Sequence, residues 1–119
     1  MRVIYHLSTC STCKKIIKEI NPGISVVLVD IKSESIPPHV LDFCKEKTGS
    51  YESLFSKKAV KYRSLGLNQK VITEPMYRAL ILEEYTFLKR PICIYDEIVT
   101  VGNSALEIEK AKEAFKSLT

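Results

Sequence analysis

The sequence predicts an α/β fold built on a four-stranded mixed sheet with a helical insertion. Three observations support this prediction. A strand, a helix and a second strand follow one another over residues 2–29, in the order of a parallel βαβ unit. Helical periodicity then recurs from about residue 37 to residue 88. Two short β-type runs and an amphipathic segment close the chain and supply the remaining strands and the last helix.

The first strand and the first helix are defined by their apolar residues. Arg2 to His6 is a short apolar run that predicts a strand, and Ser11 to Ile20 has the spacing of a helix. The apolar residues of this helix share one face: Ile16, Ile17 and Ile20. Asn21-Pro22-Gly23 predicts the end of the helix, because proline and glycine interrupt helical structure.

The second strand and the middle of the chain follow. Ile24 to Val29 is an almost continuous β-branched run, which predicts a strand buried on both faces, as in a parallel pair. Pro37 and Pro38 open the middle stretch, which we expect to be all helical up to about Leu88. Its internal breaks are Thr48-Gly49-Ser50 and Gly66-Leu67-Asn68. The length predicts one domain, residues 1–119, with this insertion inside it.

The last part of the chain predicts a hairpin and a helix. Pro91 to Tyr95 and Ile98 to Val101 are β-type runs separated by Asp96-Glu97, which predicts a hairpin with a two-residue turn. Gly102-Asn103-Ser104 offers an N-cap for a closing helix over Leu106 to Leu118. The apolar stripe of that helix is Ile108, Ala111, Phe115 and Leu118.

Two cysteines, Cys10 and Cys13, stand at the predicted start of the first helix. At a helix N-terminus, unpaired backbone N–H groups and the helix dipole favour an anionic thiolate. Cys10 is therefore the candidate nucleophile. Cys13, about one turn further along, is the candidate resolving thiol, which would release a substrate from a mixed disulfide on Cys10. Lys14 and Lys15 follow directly; their charge would stabilise the thiolate, or they are simply exposed residues of the helix.

Composition excludes several classes of function. The chain is 45% hydrophobic and 27% charged, as in an ordinary globular protein. Its net charge of +4 is mild and its basic residues are spread out, so we expect no direct nucleic-acid binding. The sequence contains no membrane span and no signal-peptide core, so we expect a cytoplasmic protein without a membrane partner. Thiols stay reduced in that compartment, where a CxxC indicates redox or metal chemistry.

The other cysteines do not complete a metal site. Cys44 is predicted on a helix and Cys93 in a strand, where we expect both to be buried packing residues. A zinc site needs about four ligands, and one CxxC with His39 and Cys44 does not supply them at suitable spacing. We therefore expect neither a metal nor a bound cofactor.

The element order, with CxxC after the first strand, is that of a thioredoxin-like domain. Three segments, His6-x-x-x-Cys10, Ser53 to Leu67 and Leu88 to Ile92, resemble the ArsC/Spx family of such proteins. His6-x-x-x-Cys10 resembles the signature of its arsenate reductases. Ser53 to Lys58, followed by Tyr62 to Leu67, resembles the middle helical motif of the family. Leu88-Lys89-Arg90-Pro91-Ile92 matches its Arg-Pro-Ile element. The resemblance covers nearly the whole chain and implies an ArsC-like fold.

The resemblance also implies roles for residues around the thiol pair. Pro91 is expected to be a cis-proline that faces the CxxC loop and shapes a substrate groove. Arg90 would direct its guanidinium group toward Cys10, stabilise the thiolate and bind an oxyanion. His6 would help to lower the pKa of Cys10, or would be only a hydrogen-bonded structural residue. The other supporting positions are Ser11, Thr12, Lys14 and Lys57.

The chain departs from the arsenate reductases of this family in two ways. Those enzymes surround the nucleophile with three arginines, whereas here Ser56 aligns with the first and the third falls near Asn103, so only Arg90 remains. Lys57 can replace the first arginine in charge but not in geometry. Those enzymes also lack the second cysteine and rely on glutathione and glutaredoxin, whereas Cys13 permits an internal disulfide. The missing arginines disfavour efficient arsenate reduction, and with its second cysteine the redox centre resembles the Spx branch of the family more closely.

The sequence therefore predicts a thiol-disulfide oxidoreductase of the ArsC/Spx family. Glutathione or a thioredoxin or glutaredoxin system is the expected reductant, and a small oxidised molecule or a protein disulfide is the expected substrate. Two alternatives stay open. One is a glutathione/glutaredoxin-dependent arsenate reductase. The other is a Spx-type redox-sensing regulator that binds the C-terminal domain of the RNA polymerase alpha subunit; such regulators share CxxC, Gly49, Arg90-Pro91-Ile92 and Val101-Gly102 with this chain.

Overall fold

The computed structural model describes residues 1–116, and their contacts divide the chain into two compact units. The sheet unit consists of Met1–Ser35 together with the residues from Arg90 onward. The helical unit is Ile36–Lys89. A single domain over residues 1–119 stays a prediction.

The sheet unit contains a four-stranded mixed sheet, as the sequence predicts. Its strands are β1 (Arg2–His6), β2 (Val27–Asp30), β3 (Ile92–Tyr95) and β4 (Ile98–Val101). Their order across the sheet is β2-β1-β3-β4. β1 pairs in parallel with β2 and antiparallel with β3, and β3 pairs antiparallel with β4. The predicted hairpin is thereby confirmed, and its two-residue turn begins at Asp96, which has a φ of 52°.

The prediction of a second strand buried on both faces is wrong. β2 begins at Val27 rather than Ile24, and it lies at the edge of the sheet. Val27 is 60% exposed and Leu28 is 49% exposed. An edge strand lacks a neighbour on one side, so a β-branched run can form it without being fully covered.

Two helices pack against each other in the sheet unit: α1 (Ser11–Ile20) and α5 (Ala105–Lys116). α1 has the predicted bounds and ends at Asn21, which adopts the left-handed conformation. The Ser104 hydroxyl accepts a hydrogen bond from the Glu107 N–H, which confirms the predicted N-cap of α5. Leu118, the last residue of the predicted stripe, lies outside the described residues. The helices and sheet enclose a core of Ile4, Ile16, Ile20, Val26, Cys93, Ala111 and Phe115.

The helical unit contains three α-helices: α2 (Pro38–Thr48), α3 (Val60–Ser64) and α4 (Glu74–Glu83). Short 3-10 turns connect them. The expectation that this stretch is all helical is wrong at one point, because Phe55 and Leu88 form an antiparallel β-bridge. This bridge places Phe55 against Phe87, with ring centroids 4.9 Å apart. α2 ends at Gly49, whose left-handed φ of 99° lets its N–H reach the Lys45 carbonyl.

Among the helices of residues 1–116, none combines the length and the apolar character that crossing a bilayer requires.

Candidate functional site

Cys10 lies in the turn between β1 and α1 and directly precedes the helix. Its N–H donates to the Leu7 carbonyl at 3.0 Å, which closes the turn. Its own carbonyl accepts the first helical hydrogen bond, from the Lys14 N–H at 3.2 Å. Cys10 therefore occupies the N-cap position of α1, and its thiol is partly exposed. Polar N-cap side chains normally satisfy free N–H groups of the first turn, and here a sulfur has that position.

Several groups act on the sulfur of Cys10, and their net effect lowers its pKa. Burial raises the pKa of Cys10. This effect is outweighed by groups that lower the pKa: the backbone N–H and the thiol of Cys13, the backbone N–H of Thr12 and the positive charge of Arg90. Each of these groups stabilises the thiolate rather than the thiol. The expected electrostatics of a helix N-terminus are therefore present at Cys10.

Cys13 has the opposite environment. It is only 1% exposed, and burial is the main reason why its pKa is raised to about 11. The negative charge of Cys10 raises the pKa further, whereas the backbone N–H of Leu7 and the charge of Arg90 act in the opposite direction. Because the Cys13 thiol donates toward Cys10, protonated Cys13 and ionised Cys10 stabilise each other.

Arg90 and Pro91 precede β3 in the same unit. The Arg90–Pro91 peptide bond is cis, as predicted from the resemblance. The carbonyl of buried Pro91 accepts a hydrogen bond from the Gly102 N–H at 2.9 Å, so the entry to β3 is held against the end of β4. The charge of Arg90 lowers the pKa of both Cys10 and Cys13. Arg90 thus belongs with the thiol pair electrostatically.

His6 is the last residue of β1 and lies opposite Asp30, the last residue of β2. Its charge helps to lower the pKa of Asp30. A role of His6 toward Cys10 stays a prediction.

The remaining predicted residues of α1 lie around its first turn. Ser11 and Thr12 are exposed, and Thr12 contributes to the site through its backbone N–H. Lys14 and Lys15 are also exposed. Among these four residues, the structure identifies a direct effect on Cys10 for Thr12.

Lys57 lies in the helical unit, between the 3-10 turn at Glu52–Leu54 and α3. Its ammonium group donates to a Glu52 carboxylate oxygen at 2.7 Å, and this contact raises the pKa of Lys57. The nearby Lys61 pairs in the same way with Glu84. These ion pairs are exposed, and such pairs contribute little to stability.

Sequence reasoning missed contacts that two residues make in and around the turn before α1. Leu7 acts through its main chain, because its carbonyl holds Cys10 and its N–H acts on Cys13; side-chain patterns give no signal for such contacts. Asp30 accepts a hydrogen bond from the Ser8 N–H at 3.2 Å. Its position could have indicated this, since the carboxyl ends of parallel strands meet at one edge of a sheet.

The other two thiols are buried, as predicted. Cys44 is 0% exposed and Cys93 is 3% exposed, and burial raises their pKa values to about 12 and about 11. Cys93 lies opposite Thr100, whose hydroxyl interacts with its thiol. Within residues 1–116, no three His, Cys, Asp or Glu side chains are grouped as metal ligands would be.

The two pKa directions predict an order of alkylation by iodoacetamide. The thiolate is the reactive form, so the rate at each cysteine rises as pH passes through its pKa. Cys10 should react as the pH rises through a value below that of an ordinary thiol, whereas Cys13 should stay protonated until about pH 11. After allowing for the greater nucleophilicity of the more basic thiolate, we expect Cys10 to react at least about tenfold faster at neutral pH. Peptide mass spectrometry on the reduced protein measures this, and faster labelling of Cys13 would contradict it.

A protein-family model matches most of the chain. The model of the ArsC family matches residues 5–111, a range that includes Cys10, Cys13 and Arg90. The chain belongs to the ArsC family. A comparison with curated protein sequences found no match.

Solved structures of ArsC-type proteins share the fold. An ArsC family related protein from Bacteroides fragilis is 26% identical, with a TM-score of 0.78 over 92% of this chain and 96% of that one. An arsenate reductase from Vibrio cholerae is 20% identical, with a TM-score of 0.76 over 95% and 96%. An arsenate reductase related protein from Brucella melitensis is 24% identical, with a TM-score of 0.69 over 91% of both chains. The thioredoxin-like ArsC fold predicted from the sequence is confirmed.

Proposed function

We propose that this ArsC-family protein is a thiol-disulfide oxidoreductase that works through Cys10 and Cys13. One observation supports this above all others: two adjacent sulfurs have pKa values displaced in opposite directions, and the less buried one has the lowered value. A low-pKa, accessible thiolate is suited to attack an incoming disulfide, and a buried neighbour is protected from the same attack.

The reaction balances as two thiol-disulfide exchanges. The Cys10 thiolate attacks one sulfur of a substrate disulfide, forms a mixed disulfide with it and expels the other half as a thiolate. Cys13 then loses its proton to solvent or to the departing thiolate and attacks the Cys10 sulfur. This step releases the second half of the substrate as a thiolate and leaves a Cys10–Cys13 disulfide. Two electrons have passed from the protein to the substrate.

An external thiol system closes the cycle. Two glutathione molecules, or one dithiol of a thioredoxin or glutaredoxin, supply two electrons and regenerate the Cys10 and Cys13 thiols. This reductant is consumed rather than held, so no bound cofactor takes part. Such reductants are the pool of the cytoplasm, which is the proposed location.

Groups around Cys10 support its role as leaving group and nucleophile. The charge of Arg90 and the N–H groups of Thr12 and Cys13 stabilise the thiolate in both exchanges. His6 at the end of β1 is proposed to assist, as are Ser11 and Lys14 in the first turn of α1, and Pro91 is proposed to align the substrate. Lys57 is proposed to contribute charge only.

Arsenate reduction is a second candidate, favoured by the charge of Arg90 on the Cys10 sulfur. A guanidinium group near the nucleophile can bind a tetrahedral oxyanion through paired hydrogen bonds. By the family resemblance, the first of the other two arginines aligns with Ser56 and the second falls near Asn103. Each missing charged hydrogen bond weakens oxyanion binding by about 1.5 to 3 kcal/mol, so we rank disulfide reduction first.

A turnover assay with two oxidants separates these functions. Wild-type protein is mixed with glutathione, glutaredoxin and either arsenate or a small mixed disulfide, and oxidised glutathione is measured over time. We expect turnover on the disulfide and at least about tenfold slower turnover on arsenate. Faster turnover on arsenate would make the arsenate reductase the correct function. Turnover on neither oxidant would contradict both and favour a redox-switched binding protein of the Spx type, which binding to the polymerase alpha C-terminal domain would test.

A further inference from the structure

Asp30 joins the end of β2 to the turn that leads into the thiol pair. One carboxylate oxygen, Oδ1, accepts hydrogen bonds from the Ser8 N–H and the Lys32 N–H, both at 3.2 Å. The other, Oδ2, lies 3.5 Å from the Ser33 hydroxyl. The hydroxyl of Ser8 also interacts with this carboxylate and is the main reason why the pKa of Asp30 is lowered. Ser8 is thus bound to Asp30 by both its main chain and its side chain.

The residue before Ser8, Leu7, contacts both cysteines of the thiol pair through its main chain. The Leu7 carbonyl accepts the Cys10 N–H at 3.0 Å, and the Leu7 N–H acts on the Cys13 sulfur. Ser8 directly follows Leu7, so fixing the peptide plane between them also fixes the direction of the Leu7 carbonyl. The carboxylate at position 30 is therefore one residue away from the backbone groups that set the surroundings of both thiols.

The other contacts of Asp30 make it a firm anchor. Its main-chain carbonyl accepts from the Ser33 and Glu34 N–H groups, which forms the turn after β2. The next residue, Ile31, donates its N–H to the His6 carbonyl at 2.8 Å. Asp30 is consequently held on the sheet by β-pairing and by its own turn, whereas Ser8 lies in a short loop whose side-chain anchor is that carboxylate.

We propose that Asp30 is a positioning residue of the redox centre, which fixes Ser8 and thereby holds the Leu7 main chain against Cys10 and Cys13. This inference rests on the proposed function. Sites that are loosely supported lose activity even when all reacting groups are present, because small misplacements reduce the effective concentration of one group at another. We therefore predict that loss of the Asp30 carboxylate lowers the effective concentration of the Cys13 thiol at the Cys10 sulfur.

Three variants test the proposal: Asp30→Ala, Asp30→Asn and Asp96→Ala. Alanine removes the acceptor for Ser8, whereas asparagine keeps an oxygen acceptor and loses only the charge. Asp96 is the matched control, since it is also a carboxylate at a strand end of the sheet unit, paired with Arg2 and the N-terminus. The measurement is the equilibrium constant of the Cys10–Cys13 disulfide in glutathione redox buffers, together with the exchange rate of the Ser8 amide and the melting temperature.

We expect Asp30→Ala to lower the equilibrium constant for forming the Cys10–Cys13 disulfide about tenfold. The same variant should accelerate hydrogen exchange of the Ser8 amide. Asp30→Asn and Asp96→Ala should stay within about twofold of wild type. A wild-type constant in folded Asp30→Ala would overturn the proposal, and so would an equal loss in Asp30→Asn or in Asp96→Ala. These readouts need no substrate turnover. A wild-type protein that forms the disulfide but turns over no oxidant would therefore contradict the proposed function and leave the role of Asp30 measurable.

Discussion

Replacing Cys10 by serine is expected to abolish disulfide reduction, with a loss of at least about 1000-fold in turnover of a small mixed disulfide. The hydroxyl of serine has nearly the size of the thiol, so the turn between β1 and α1 should be retained. A hydroxyl is not ionised near neutral pH, however, and the N–H groups of Thr12 and Cys13 with the charge of Arg90 then have no thiolate to stabilise. The rate of oxidised glutathione formation, with glutathione and glutaredoxin as reductants, measures the loss.

The matched control for this variant is Cys44→Ala. It also removes one thiol, but from a buried position in the helical unit, where the pKa of about 12 keeps the thiol protonated. We expect its turnover to be that of wild type. If Cys10→Ser keeps more than about a tenth of wild-type turnover while Cys44→Ala loses its turnover, a thiol other than Cys10 is the nucleophile.

Cys13→Ser is expected to stop the reaction halfway. Cys10 should still attack a disulfide, but the mixed disulfide then has no buried thiol beside it to release the product. Turnover should fall about 100-fold, because an external thiol at millimolar concentration must replace a neighbour of far higher effective concentration. Intact-protein mass spectrometry after exposure to oxidised glutathione should show one glutathione on the variant and an internal disulfide in the wild type.

The second control addresses the environment of Cys10. The Cys13 thiol is one of the groups that lower the pKa of Cys10, so Cys13→Ser replaces a thiol donor by a hydroxyl donor and should leave the Cys10 thiolate accessible to alkylation. Full turnover by Cys13→Ser, with no stable adduct, would show that external thiols resolve the intermediate and would remove Cys13 from the mechanism.

Local sequence patterns predicted the first strand, the first helix and the hairpin of the sheet unit. β1 and α1 have the predicted bounds, and the hairpin turn falls at Asp96-Glu97, because each of these features depends on residues close in the chain. The thiol pair was predictable for the same reason, since CxxC and the start of α1 are one segment. The cis bond before Pro91 came from the family resemblance and not from any local pattern.

Features that depend on distant residues were missed. The apolar run that became β2 gives no information about whether a strand lies at the centre or the edge of a sheet, which pairing with β1 decides. The bridge between Phe55 and Leu88 joins segments that helical periodicity treats separately. The hydrogen bond from the Ser8 N–H to Asp30 likewise links two parts of the chain that are far apart in sequence.

The close contact between the Cys13 thiol and the Cys10 sulfur also bears on oxidative damage. An exposed low-pKa thiolate is the form that peroxides convert to a sulfenic acid, and further oxidation to sulfinic acid is irreversible for most proteins. A protonated thiol that already points at that sulfur can condense with the sulfenic acid, lose water and form a disulfide that cellular thiols reduce. The buried cysteine thereby gives the reactive one a route back from peroxide exposure.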